Sequence, residues 1–180
     1  MKHALAALGG LIFLAGCTAV PVATMVRLGG FDEKQLATLD PAVMRVRVAA
    51  PPGFVIDPGQ TRLAVRLRSG EDKRTEEFEL AATLHRDGRR PGGPFAPDIP
   101  VKETTLRLTP ASQNAFRRMQ AFVLGRVADQ VDLEVHVGLE KAPPGATELT
   151  VWIDVMMSPG EGYVPLVDGG RIELNKTKVY

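Results

Sequence analysis

The chain has 180 residues, and 22 lysines and arginines stand against 21 aspartates and glutamates, so its formal net charge is only +1. This balance excludes binding of nucleic acid through bulk charge, and we expect no nucleic-acid partner. The single cysteine excludes a disulfide within the chain. Stability must therefore come from a buried core, for which 44% hydrophobic residues provide the material.

The first residues have the composition of an export signal. Lys2 and His3 form a short basic lead, and residues 4–14 are an uncharged run of apolar residues and glycine. As a helix this run would rise only about 16 Å, against roughly 30 Å of hydrocarbon in a bilayer. The run alone is therefore too short to span a membrane.

The signal ends in Leu14-Ala15-Gly16-Cys17, which resembles the lipobox of bacterial lipoproteins. The resemblance implies cleavage before Cys17 and attachment of lipid, including palmitate, to this residue. It also implies a protein that is anchored in a cell membrane and faces the periplasm, with the bilayer as its partner. Thr18 stands where many lipoproteins retained in the inner membrane have aspartate, so the outer membrane is favoured.

Two other interpretations of this segment stay open. In the first, Cys17-Thr18-Ala19 is a small-x-small site for ordinary secretion, with cleavage after Ala19. In the second, the uncharged stretch continues to Arg27 and forms an uncleaved membrane anchor, although Pro21 disfavours a continuous helix. Both alternatives also export the chain.

The rest of the chain predicts one domain preceded by a tether. We place the signal peptide at residues 1–16, a tether with a short helix at residues 17–42 and a β-domain at residues 43–180. Asp32 followed by Gln35 is typical of a capping box, and the Asp40-Pro41 step ends that short helix.

The fold class follows from residues that alternate between apolar and polar after Val43, a pattern typical of half-buried strands. Thr109-Pro110 is an N-cap followed by proline at the first helical position, and it predicts a helix that ends near Gly125. The sum is an antiparallel, immunoglobulin-like β-sandwich of about seven or eight strands with one packed α-helix. An open sheet with the helix across one face is the alternative.

The alternation also predicts burial and pairing. We expect the strands that contain Val135 and Val151 to pair as a hairpin, and Arg66 and Arg68 to lie across from Glu77 and Glu79. The residues expected to be buried are Leu63, Val65, Phe78, Leu80, Val135 and Val151. Those expected not to be buried are Arg66, Glu77, Glu134 and Asp154.

No motif predicts catalysis, a cofactor or a metal. The serines lie in no G-x-S-x-G or S-x-x-K motif, and the HExxH helix, the P-loop and the dinucleotide glycine fingerprint are absent from the sequence. His136 shares a strand face with Asp132 and Glu134, and Asp154 and Glu148 would lie on the same side of the partner strand in the expected hairpin. A metal site there is conceivable, but alternate charged residues usually form the solvated face of a strand.

The candidate partner-binding residues are Arg86, Arg89, Arg90, Phe95 and Trp152. The first four fall in residues 86–100, which lack periodicity and predict a long loop. Arginine and aromatic residues are common interface anchors, so an envelope protein or anionic lipid headgroups are the expected partners. We therefore expect a non-catalytic binding or scaffolding module of the cell envelope. An envelope enzyme and a carrier of a small apolar ligand are the alternatives.

Overall fold

The computed structural model describes residues 24–26, 33–92, 95–123 and 130–174. These residues form eight strands and two helices. The strands are β1 (Thr24–Val26), β2 (Arg45–Ala50), β3 (Val55–Ser69), β4 (Asp72–Arg90), β5 (Ile99–Leu108), β6 (Gln130–Lys141), β7 (Glu148–Met156) and β8 (Val164–Glu173). The helices are α1 (Glu33–Thr38) and α2 (Pro110–Val123). Cys17 and the rest of the predicted signal lie outside the described residues.

The strands form one curled antiparallel sheet in the order β1-β6-β3-β4-β5-β2-β7-β8. The first part of β4, up to Glu79, pairs with β3, and the part from Leu80 onward pairs with β5. The register shifts between Ala82 and Leu84, as at a bulge that bends a strand. The mostly β, antiparallel prediction is confirmed. The immunoglobulin-like sandwich is not, because β4 belongs to both halves of a single sheet.

The core lies between the inner face of the sheet and α2. Phe116 is fully buried, and its ring lies 5.2 Å from that of Phe78 with a tilt of 54°. The predicted cap is confirmed, because the Ser112 amide donates a hydrogen bond of 3.2 Å to Thr109 Oγ1. The six apolar residues expected to be buried are all no more than 5% exposed.

Helix α1 packs against α2 at the margin of this core. Leu36 is fully buried, and the Gln120 side-chain amide donates hydrogen bonds of 2.8 and 2.7 Å to the carbonyls of Leu36 and Leu39. These bonds add to the 3.3 Å bond that the Leu39 amide donates to the Leu36 carbonyl, at the C-terminal end of α1 where carbonyls lack the usual helical partner. The division of the chain at residues 16 and 42 stays a prediction. Neither described helix is long and apolar enough to cross a membrane.

Two pairing predictions are wrong. β6 pairs with β1 and β3, whereas β7 pairs with β2 and β8, so these two strands are not a hairpin. Alternation determines which face of a strand is buried, but it carries no information on the neighbouring strand. Arg66 lies opposite Thr75 rather than a glutamate, because the turn after β3 is only Gly70-Glu71 and the register shifts accordingly.

Antiparallel order places the connections at two ends of the sheet. Strand directions alternate along the sheet, so residues 51–54, 91–98 and 142–147 lie at one end, and β1, which pairs with the middle of β6, runs away from that end. We call this the proximal end. The distal end carries the Gly70-Glu71 turn, the β7–β8 connection (residues 157–163) and the segment between α1 and β2.

Candidate functional site

The segment predicted to be a long loop is largely a hairpin. β4 continues to Arg90 and β5 begins at Ile99, so only residues 91–98 connect them. We call this hairpin, from Leu84 to Glu103, the β4–β5 arm. Its strands lack apolar alternation because most side chains of β4 between Ala82 and Arg89 are exposed. The prediction of a fifteen-residue loop is therefore wrong: β4 is held here mainly by backbone pairing with β5, whose Val101 is buried against Ala49 and Trp152.

Five charged side chains meet on the outer face of the sheet where the arm leaves it. We call them the arginine cluster: Arg47 on β2, Arg86 and Arg90 on β4, Glu103 on β5 and Asp154 on β7. Arg90 Nη2 lies 2.6 Å from Asp154 Oδ2 and 3.2 Å from Glu103 Oε1. A single guanidinium thus bridges the two carboxylates.

The remaining two arginines complete the cluster. Arg47 contacts Asp154 Oδ2 through Nε at 2.9 Å and Nη2 at 2.8 Å, and Arg86 Nε lies 2.6 Å from Glu103 Oε2. The Arg47 guanidinium also lies 4.1 Å from the centre of the Tyr163 ring. Because guanidinium groups form strong, directional bonds to carboxylates, this cluster fixes β2, β4, β5 and β7 relative to one another.

The carboxylates of this outer face are buried, which corrects two predictions. Asp154 is 3% exposed and Glu134 is 1% exposed, whereas both were expected to face water. Each forms an ion pair with an arginine on the adjacent strand. Asp154 pairs with Arg47, and Glu134 pairs with Arg66 Nη1 at 2.8 Å. Long arginine stems cover neighbouring polar atoms while the charged group reaches its partner, so a polar face need not be exposed. Glu77 is exposed and Arg66 is half-buried, as expected.

The residues of the conceivable metal site do not come together. His136 Nε2 lies 3.4 Å from Glu134 Oε2, and its Nδ1 lies 3.6 Å from Glu77 Oε1. Asp154 and Glu148 lie on β7, which is separated from β6 by four strands of the sheet. Among the described residues, no group of three or more histidine, cysteine or acidic side chains has an arrangement that could hold a metal ion.

The predicted partner-binding residues fall into two groups. Arg86 and Arg90 belong to the arginine cluster, and Trp152 is 3% exposed beside Ala49 and Val101. Gly169 of β8 lies beside the Trp152 ring with a φ of +69°, a backbone conformation that favours glycine. By contrast, Phe95 is fully exposed near the tip of the arm and Arg89 is exposed on β4.

Sequence reasoning missed Arg47 and Glu103 as members of the cluster. Each is a charged residue on an alternating strand, the pattern that usually indicates a solvated face. The signal that could have found them is the number of arginines and acids on one face, but using it requires the strand order. The order was not available from alternation alone.

A second feature, which the sequence did not indicate, is an open cleft of about 440 Å³ at the distal end. It lies between α1, the segment leading to β2 and the β7–β8 connection. Its lining residues are Gln35, Thr38, Leu39, Asp40, Val43, Met157, Ser158, Pro159 and Glu161. Apolar and polar side chains therefore share the same surface.

Comparisons of this chain with protein-family models, with curated proteins and with solved structures each returned no match.

Replacing Asp154 by alanine should lower the free energy of unfolding by about 3 kcal/mol. The reason is that Arg47 and Arg90, both largely buried, would lose the carboxylate to which they are bonded. Urea denaturation followed by the fluorescence of Trp152, the single tryptophan, measures this change. Asp87→Ala is the matched control, since Asp87 is exposed and its ion pair is with exposed Lys102. It should cost less than about 1 kcal/mol. Equal effects of the two substitutions would contradict a structural role of the cluster.

Proposed function

We propose that this protein is a lipid-anchored periplasmic lipoprotein and a non-catalytic binding module of the cell envelope. The observation that carries the proposal is the stretch Leu14 to Cys17, which places the chain's single cysteine directly after an apolar run and two small residues. Two or more acyl chains hold a protein stably on a bilayer, whereas one chain binds only reversibly. The inner face of the outer membrane is the favoured site, because Thr18 replaces the aspartate of inner-membrane retention.

The charged groups of the fold support a binding role rather than a catalytic one. Asp154 and Glu103 are held by three guanidinium groups, and Glu134 is held by Arg66. A general acid or base must exchange protons with a substrate, and a carboxylate locked in arginine pairs is poorly suited to that task. These residues therefore serve the architecture of the sheet.

The distal cleft is the surface that we assign to the bound envelope component. Leu39, Val43 and Met157 provide apolar contact, while Asp40 and Glu161 provide charge at the same opening. This mixture resembles a protein interface, in which an apolar centre is surrounded by polar groups. Sites that carry a small apolar ligand instead enclose it within mostly apolar walls, so an open mixed cleft favours a protein segment over the carrier alternative.

The proposed anchor predicts that Cys17 carries fatty acid. Cells supplied with a fatty-acid probe should label the wild-type protein, and Cys17→Ala should abolish the labelling because no other thiol is present in the chain. Gel fluorescence of the purified protein reads the result. Comparable labelling of both forms would exclude Cys17 as the acylated residue.

The proposed role of the distal cleft predicts that a charge reversal there weakens binding of the envelope component. Purification after cross-linking of intact cells should recover a discrete envelope component with the wild type, and Glu161→Arg should reduce its yield several-fold by reversing a charge at the cleft. Both Glu161 and Glu71 are exposed at the distal end, but Glu71 lies outside the cleft. Glu71→Arg is therefore the control and should leave the yield unchanged. Loss of the component with Glu71→Arg alone, or with neither variant, would remove the cleft from the account.

A further inference from the structure

We propose that the proximal end of the sheet docks on the bilayer that holds the lipid anchor, with Phe95 inserted at the membrane interface. The inference rests on the proposed function, because it requires an acylated Cys17. It adds an orientation, a second contact with the membrane and a role for the β4–β5 arm.

The distance between the anchor and the sheet sets the first constraint. Thr24, the first residue of β1, follows Cys17 by seven residues. A chain of that length spans at most about 25 Å when it is fully extended. Thr24 pairs with Val135, midway along β6, and β1 runs from there towards the distal side. The chain therefore reaches the sheet from the proximal side, and the anchor can hold that end at the membrane with the distal end turned away.

The chemistry of the proximal end suits contact with a bilayer. Residues 51–54 are Pro-Pro-Gly-Phe and residues 142–146 are Ala-Pro-Pro-Gly-Ala, so neither loop carries a charge. The two loops adjoin, because a Cβ added at Gly53 would lie 2.9 Å from Pro143 Cγ. The third proximal connection, residues 91–98, contains one charged residue, Asp98, whereas the distal connections contain Glu71, Asp40 and Glu161. The two ends of the sheet therefore differ in polarity in the direction that membrane docking requires.

Exposed apolar side chains are concentrated at the same end. Among the described residues three large hydrophobic side chains are exposed, namely Phe95, Val55 and Leu84, and Phe95 and Val55 belong to the proximal end. Burial of an exposed phenylalanine at the interface is favourable and requires no desolvation of a polar side chain. Arg89 is exposed on the adjoining part of β4, where its guanidinium can bond to lipid phosphate.

The arginine cluster gives the arm a fixed direction. Arg90 is the last residue of β4 before the tip, and its guanidinium is bonded to Asp154 of β7 and Glu103 of β5. The tip therefore projects from a braced base, and little conformational freedom is lost when Phe95 enters the membrane. When the protein docks in this way, its distal cleft faces away from the bilayer and is open to a periplasmic component.

The test places tryptophan at each end of the full-length, acylated protein. Phe95→Trp reports on the proximal end and Glu71→Trp on the distal end, and both positions are exposed, so neither variant should perturb the fold. Each protein is reconstituted into vesicles of phosphatidylethanolamine and phosphatidylglycerol with brominated acyl chains. The wild type, whose single tryptophan is buried Trp152, gives the baseline.

The fluorescence that Phe95→Trp adds to the wild-type signal should shift to shorter wavelength on vesicles and be mostly lost to bromine quenching. The fluorescence that Glu71→Trp adds should be unchanged. Val55→Trp, a second proximal position, should be quenched more than Glu71→Trp. Equal quenching at the two ends, or no quenching at position 95, would overturn the docking while leaving the anchor intact. No quenching at position 95 is the result expected if Phe95 binds a protein instead of the bilayer. Mass analysis of Cys17 separates the two proposals, because an unacylated Cys17 would overturn the anchor and the docking together.

Discussion

Strand β4 is the element on which the rest of the structure depends, because both halves of the sheet share its 19 residues. Its first part pairs with β3 and contributes Phe78 to the core beneath α2, while its second part pairs with β5 and carries Arg86 and Arg90. A separate strand in each half would leave two edges with unpaired backbone groups, which proteins avoid. One continuous strand instead joins the two halves into a single curled sheet.

The arginine cluster holds the second part of β4 against the neighbouring strands and thereby fixes the β4–β5 arm on the surface. Most side chains of β4 in the β4–β5 arm are exposed, although Val101 of β5 packs with Ala49 and Trp152 in a small apolar cluster. Arg90 compensates by bonding to carboxylates of two other strands, so the arm is fixed where it leaves the sheet. The exposed Phe95 then has a defined position, at the end of the sheet that faces the side from which the chain enters β1.

The sequence predicted those features that local patterns control. Alternation identified the burial of Val65 and Val135, and the Thr109-Pro110 pair located the start of α2. It failed where distant strands decide the outcome, since alternation gives β6 and β7 the same appearance although they lie in different halves. The burial of Asp154 depends on Arg47 and Arg90, which are 107 and 64 residues away along the chain. Only the strand order brings those partners together.

Native-state hydrogen exchange tests the central claim, that β4 makes the two halves one cooperative unit, most directly. The slowest amide protons of β3 in one half and of β2 in the other should exchange with the same free energy, equal to that of global unfolding. Denaturant should lower both values with the same slope. If one half exchanged at a clearly lower free energy and with a smaller slope, the halves would open independently, and the shared strand would not be the constraint that unites the fold.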